Sequence, residues 1–76
     1  MELLSEIAVN LEAGDAEEVL NLVEQSLSAG ISAEKILNEG LIRGMTIVGQ
    51  KFKEGEIFIP EVLIAARAMT RSITHL

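Results

Sequence analysis

The sequence contains no cysteine, no tryptophan and no tyrosine, and it has a single proline and a single histidine. The absence of cysteine excludes disulfide bonds, thiolate nucleophiles and the zinc or iron–sulfur sites that depend on cysteine. Two phenylalanines are the only aromatic residues, so the chain lacks the aromatic and turn signals that are typical of a β-sandwich. Hydrophobic residues nevertheless make up 49% of the chain, which favours a helical core of aliphatic side chains.

The polar side chains form no pattern that is typical of a catalytic or metal-binding site. The only histidine is His75, next to the last residue, where a side chain is typically exposed. The serines have no evident base partner, and the carboxylates are spread along the chain as solubilising charge. The glycines do not follow a strand in a phosphate-binding arrangement. We therefore predict no catalytic residue and no metal site, and we expect that the chain is not an enzyme on its own.

Acidic residues outnumber basic ones, and the formal net charge is −6. Residues 1–34 hold eight of the twelve acids and none of the six bases. This balance argues against nucleic-acid binding, which relies on basic patches, and no apolar stretch approaches the roughly 20 residues of a membrane span. We expect a cytoplasmic location without nucleic-acid or membrane partners. The acidic half is either a solvated face or a surface that attracts a basic partner.

Helical periodicity divides the single domain, residues 1–76, into four predicted helices. Their approximate ranges are 2–13, 15–29, 32–53 and 60–76. Asp15 and Glu18 form a capping-box pattern at the second helix, Ser32 is a suitable cap for the third, and Pro60 suits the first turn of the fourth. Because the connections are short, the prediction is an all-α fold, an antiparallel four-helix bundle.

Each predicted helix has one apolar stripe that should face the core. The stripes are Leu3, Leu4, Ile7 and Leu11; Val19, Leu20, Val23 and Leu27; Ile36, Leu37, Leu41, Met45, Val48 and Phe52; and Val62, Ala65, Ala66, Met69, Ile73 and Leu76. Gly40 and Gly44 lie one turn apart inside the third helix, where each costs about 1 kcal/mol relative to alanine. We expect that a neighbouring helix approaches these two glycines closely.

Large apolar residues remain around the third connection after these stripes have been assigned. Ile57, Phe58 and Ile59 follow one another within a predicted loop, although loops normally run over the surface. Leu63 and Ile64 lie off the predicted stripe of the fourth helix. These residues either staple the connection to the core or form an exposed apolar patch that binds a partner.

The segment GLIRGMTIVGQKFKEGEIFIPEVLIAARAM resembles a known family. Its most specific part is VGQKFKEGEIFIPEV, in which a glycine, a phenylalanine, a Gly-Glu pair and an F-aliphatic-P-E element occur in that order. The earlier acidic helices also fit, so the resemblance covers nearly the whole chain. The chain is similar to the helical cap domain that precedes the cobalamin-binding domain in corrinoid methyltransferase proteins and in cobalamin-dependent methionine synthase.

The resemblance implies a role in methyl transfer, in which the bundle covers the upper face of methylcobalamin and swings aside when methyl donor and acceptor modules reach the cobalt. The cofactor-binding positions that it implies are Phe52, Phe58, Ile59 and Val62. The implied partners are an adjacent α/β cobalamin-binding domain and methyltransferase subunits. Methanol, methylamines, methoxylated aromatics and homocysteine-linked chemistry all stay open as the source or destination of the methyl group.

One departure from the family's pattern concerns the cobalt ligand. The full proteins continue into a D-x-H-x-x-G motif, whose histidine binds cobalt from below, and this sequence has no such motif. His75 is not in that context and is not assigned the role. We expect that residues 1–76 are the N-terminal fragment of a longer corrinoid protein and that the fragment alone binds no cobalamin.

Two other functions compete with this interpretation. In a homodimerisation module, an exposed apolar end would pair two copies of the chain and stabilise both. A small acidic carrier protein would need a modifiable serine in an Asp-Ser-Leu context, whereas Ser32 lies between Ile31 and Ala33. The homodimerisation module is therefore the stronger alternative.

Overall fold

The computed structural model describes residues 2–76, which form a bundle of helices joined by short connections. The helices are α1 (Glu2–Ala13), α2 (Ala16–Ser28), α3 (Ala33–Ile36), α4 (Arg43–Lys53) and α5 (Ile59–Ile73). A π-helical segment, Leu37–Ile42, joins α3 to α4, so these three pieces form one long helix. Residues 2–76 contain no strand, and the predicted all-α four-helix fold is confirmed.

Local hydrogen bonds define the starts of the second and third predicted helices. The Asp15 carboxylate accepts from Glu18 N at 3.2 Å, and the Ser32 hydroxyl accepts from Lys35 N at 3.2 Å. Both predicted caps are therefore confirmed. The reciprocal half of the capping box is not formed, because Asp15 N donates to the Asn10 carbonyl at 3.0 Å.

The two interior glycines of the long helix both face α1. A Cβ on Gly40 would lie 3.1 Å from Ile7 Cγ2, and a Cβ on Gly44 would lie 2.8 Å from Leu11 Cδ2 and 3.1 Å from the Ala8 carbonyl oxygen. The predicted close approach of a neighbouring helix is confirmed. Gly40 meets Ile7, and four residues later Gly44 meets Leu11. The residue numbers rise together along both helices, so α1 and the long helix run in the same direction, as the first and third helices of an up-down bundle do.

The hydrophobic core is built mainly from α1, α2 and the long helix. Its buried members are Leu4, Ile7, Leu11, Val19, Leu22, Val23, Ile31, Ile36, Leu41 and Ala68. The predicted burial of Leu27 was wrong, because this side chain is 37% exposed whereas Ser26 is fully buried. The Ser26 hydroxyl donates to the Leu22 carbonyl at 2.7 Å, which satisfies its hydrogen bonding inside the core.

Helix α5 packs against the bundle, chiefly α2 and α4, through small residues. Its buried residues are Ala65, Ala68 and Ser72, and the Ser72 hydroxyl donates to the Ala68 carbonyl at 2.8 Å. The predicted burial of Ile73 and Leu76 was wrong, because they are 44% and 38% exposed. Small side chains let helix axes approach closely, and the face of α5 that packs against the bundle consists of alanine and serine. Its large aliphatic side chains consequently point outward.

Candidate functional site

Large apolar side chains are exposed at the end of the bundle where α4 finishes and α5 begins. We call Phe52, Phe58, Ile59 and Leu63 the apolar tip, and their exposed fractions are 46%, 69%, 62% and 52%. The place of Phe52 on the core-facing stripe of the third predicted helix was therefore wrong. Ile59 and Leu63 lie one helical turn apart and share a face of α5. Val62, the remaining predicted site residue, is half-buried. A surface of this kind indicates a binding site.

The connection residue before the apolar tip has the opposite orientation. Ile57 is half-buried and lines a cavity of about 320 Å³ together with Val9, Glu12, Ala13 and Lys51. Its side chain therefore faces the last turn of α1 across this cavity. Neighbouring residues therefore differ: Ile57 is half-buried and faces α1, whereas Phe58 and Ile59 are exposed.

The connection leaves α4 through a Schellman motif. Gly55 N donates to the Phe52 carbonyl at 3.1 Å, and Glu56 N donates to the Lys51 carbonyl at 2.9 Å. Gly55 has a φ of +77°, in the left-handed region that favours glycine. These two hydrogen bonds turn the chain sharply and hold the connection to the last turn of α4.

Glu61 holds Phe58 at the start of α5. The Phe58 N–H donates to Glu61 Oε2 at 3.2 Å, and Phe58 itself is extended, with φ −115° and ψ 172°. Pro60 lies in the first turn, as predicted, although the helix begins one residue earlier at Ile59. The Glu61 carboxylate also lies at the positive end of the helix dipole. The backbone of the most exposed aromatic residue is thus fixed by a hydrogen bond.

An ion pair crosses the bundle next to this connection. Lys51 Nζ, in the last turn of α4, donates to Glu12 Oε1, in the last turn of α1. The hydrogen bond to Glu12 raises the pKa of Lys51 above its usual value, partly opposed by desolvation, and the negative charges of Glu12 and Glu56 add to the rise. The ion pair therefore joins the end of α4, from which the connection leaves, to the end of α1.

The raised pKa of Lys51 predicts the pH dependence of this contact. A pKa that is higher in the folded chain contributes stability below the usual value of 10.5, and that contribution is lost as the pH rises through the folded value. Lys51→Arg should keep its charge throughout. We expect its midpoint of thermal unfolding to match the wild type at neutral pH and to exceed it increasingly as the pH rises above 10.5. Parallel pH curves for the two proteins, measured by circular dichroism, would contradict this.

The side chains of the apolar tip are hydrocarbon and carry no titratable, nucleophilic or metal-binding group. Within residues 2–76, no group of three or more His, Cys, Asp and Glu side chains could hold a metal ion. His75 lies beyond the other end of α5, where its Nδ1 is 3.8 Å from a Glu24 carboxylate oxygen. No helix in the part of the chain that the structure describes is long and apolar enough to cross a membrane.

A known protein family matches nearly the whole chain. A family model described as a B12 binding domain matches residues 3–76. The chain belongs to this family of B12-binding domains. The domain is 40% identical over 67 residues to monomethylamine corrinoid protein 1 of Methanosarcina acetivorans, which covers 88% of this chain and 29% of that protein. It is 47% identical over 58 residues to the trimethylamine corrinoid protein of Methanosarcina barkeri, covering 76% and 25% of the two chains.

A solved structure has the same fold. The domain matches the structure of the Methanosarcina barkeri monomethylamine corrinoid protein with a TM-score of 0.93 and 30% identity, covering 96% of this chain and 34% of that chain. This B12-binding domain therefore spans about a quarter to a third of the length of these relatives. The resemblance to the helical cap of corrinoid proteins, inferred from the sequence, is confirmed.

The structure brings most of the predicted site residues to one end of the bundle. Phe58 and Ile59 are neighbours at the start of α5, and Phe52 lies in the last turn of α4. Their cofactor-binding role, and that of Val62, stays a prediction. Leu63 and Ile64, which are 52% and 49% exposed, were not among the predicted site residues, although their places off the apolar stripe were the signal that they are exposed.

Proposed function

We propose that this domain is the helical cap of a corrinoid protein in methyl transfer and covers the upper face of a methylcobalamin that a separate α/β domain binds. The observation that carries the proposal is the exposed apolar tip in a B12-binding domain, where Phe58 alone is 69% exposed. The methylated upper face of a corrin is broad and apolar. Phenylalanine, isoleucine and leucine side chains can cover it without leaving a buried polar group unsatisfied.

The residues of the domain fit this cofactor as a cover and not as a cobalt ligand. The predicted residues Phe52, Phe58, Ile59 and Val62 would contact the ring, together with Leu63. His75 is the only histidine, and α5, with 15 residues, separates it from the tip by roughly 20 Å. The cofactor, when bound, supplies the metal-centred methyl chemistry, and this chain supplies the exclusion of water and of reactive small molecules.

The free energy of this apolar contact is moderate, which suits a domain that must also move away from the cofactor. Burying one to two hundred Å² of apolar surface contributes about 2 to 5 kcal/mol. A preference of that size keeps the closed arrangement dominant, yet methyl donor and acceptor proteins that bind the open arrangement can reverse it. The domain itself then needs no catalytic residue.

The proposal extends to the whole protein of which these residues are a part. We propose that residues 1–76 form its N-terminal portion, that the α/β cobalamin-binding domain follows, and that methyltransferase subunits are its partners. The two relatives described above are named for monomethylamine and trimethylamine, which favours a methylamine as the source of the methyl group.

A chimera tests the cover. The corresponding residues of the monomethylamine corrinoid protein are replaced by this domain, and the decay of reduced cobalamin in air is followed by absorbance. We expect decay at least about tenfold slower than in the α/β portion alone, which corresponds to a closed preference above about 1.4 kcal/mol. Equal decay rates, in a chimera whose helix content confirms that the domain is folded, would contradict the proposal.

A further inference from the structure

We propose that Glu12 and Lys51 are positioning residues, whose ion pair holds the connection 54–58 against α1 and thereby fixes the direction in which Phe58 projects. The consequence for a bound cofactor rests on the proposed function. The positioning itself concerns only the residues of this domain, and it can be measured without any cofactor.

Lys51 links three parts of the fold at one point. Its ammonium group donates to Glu12 in α1, while its backbone carbonyl accepts the Glu56 N–H of the connection at 2.9 Å. Its own backbone belongs to the last turn of α4. Movement of the connection away from α1 must therefore break this ion pair or distort the Schellman motif.

The position of Ile57 limits where the next residue, Phe58, can project. The Ile57 side chain lines the cavity that Glu12 and Lys51 also line, next to the last turns of α1. Phe58 follows directly in an extended conformation, and its side chain is 69% exposed whereas that of Ile57 is half-buried. Holding Ile57 towards α1 therefore fixes the point of the backbone from which Phe58 projects.

Glu12 also lines a second cavity between α1 and the start of α5. This cavity, of about 100 Å³, is lined by Glu12, Ile57, Glu61 and Ile64 among others. Glu61 accepts the hydrogen bond from Phe58 N. The end of α1 thus faces the connection and the first turns of α5, and Glu12 supplies its charged contact to α4.

The acidic neighbour Glu56 makes the two halves of the pair unequal. Glu56 also attracts Lys51 but lies in the connection itself. When Glu12 becomes glutamine, Lys51 keeps this attraction within the connection and loses its charged link to α1. When Lys51 becomes methionine, both interactions are lost. Either change should release the connection from α1.

Hydrogen exchange of the full chain at neutral pH tests the positioning. In Glu12→Gln and Lys51→Met, we expect exchange of the Glu56 and Phe58 amides to rise about fivefold or more, with core amides of α1 and α2 changing less than about twofold. Lys53→Met, a charge loss two residues further along α4, should leave these amides unchanged. Lys51→Arg should keep the wild-type protection, and the swapped pair Glu12→Lys with Lys51→Glu should restore part of it, because Glu56 repels a carboxylate at position 51.

The outcomes separate positioning from general stability and from the cofactor role. A rise spread evenly over the core amides, or no rise at the two connection amides, overturns the proposal. Loss of protection in Lys51→Arg together with no restoration in the swapped pair also overturns it, because an ion pair would not then be the cause. If exchange changes as expected while the Glu12→Gln chimera protects reduced cobalamin as well as the unsubstituted chimera does, positioning stands and the proposed cover loses its support.

Discussion

Phe58→Ala, placed in the chimeric corrinoid protein, should speed the air oxidation of reduced cobalamin by about tenfold. Phe58 is the most exposed member of the apolar tip, at 69%, so its phenyl ring is available to a partner surface. Removing about 60 Å² of apolar cover weakens the closed arrangement by about 1.5 kcal/mol, which corresponds to roughly tenfold more open protein. Absorbance spectroscopy of the cofactor measures the rate directly.

The matched control for Phe58→Ala is Leu27→Ala, which truncates an exposed apolar side chain at the end of α2. Leu27 is 37% exposed and lies outside the apolar tip. Phe58→Ala should alter the free energy of unfolding by about 0.5 kcal/mol or less, whereas Leu27→Ala, whose side chain is more buried, should lower it by about 1 kcal/mol. Equal oxidation rates for the two variants would show that Phe58 provides no specific cover. Molecular mass in solution, measured alongside, distinguishes loss of cover from loss of self-association.

The sequence was most informative where a local rule determines the structure. Asp15 and Ser32 cap the helices they were predicted to cap, because each needs only a backbone N–H three residues later. Phe58 and Ile59 were found as apolar residues left over from the helical stripes, and both are exposed. The apolar tip could therefore be inferred in large part before the fold was known.

The sequence was misleading where packing distance decides which residues are buried. Periodicity placed Ile73 on the buried face of α5, whereas the fold buries Ala68 and Ser72. A hydrophobic pattern ranks side chains by polarity, but a helix that packs closely needs small ones, and serine can satisfy its hydroxyl within its own helix. The same error hid how many large side chains of α5 remain available for binding.

The contacts that orient the apolar tip have no signal in the sequence. Glu12 and Lys51 are 39 positions apart, and charged residues on helix surfaces occur throughout the chain. The sequence gives no sign of the π-helical segment either, because six residues with slightly wider turns hardly change the spacing of apolar residues along the helix. Side-chain positions set by tertiary packing require the structure, even when the helices that carry them are predicted.

Gly44→Ala should be among the most destabilising single-methyl additions in the domain, and Gly49→Ala should be stabilising. An added Cβ at Gly44 meets Leu11 Cδ2 at 2.8 Å and the Ala8 backbone oxygen at 3.1 Å, whereas nothing lies within 4 Å of a Cβ at Gly49. We expect Gly44→Ala to lower the free energy of unfolding by about 1 to 3 kcal/mol, and Gly49→Ala to raise it by about 0.5 to 1 kcal/mol. Urea unfolding followed by circular dichroism measures both.

The Gly44 substitution also tests how the core supports the apolar tip. Gly44 sets the separation of α4 from α1 beside Leu11, and the next residue of α1 is Glu12. Pushing the two helices apart there should lengthen the path from Lys51 to Glu12 and release the connection, so amide exchange at Phe58 should rise in Gly44→Ala and stay unchanged in Gly49→Ala. If both alanines raise stability equally, α1 and α4 can separate freely, and close packing at Gly44 does not determine where the apolar tip is held.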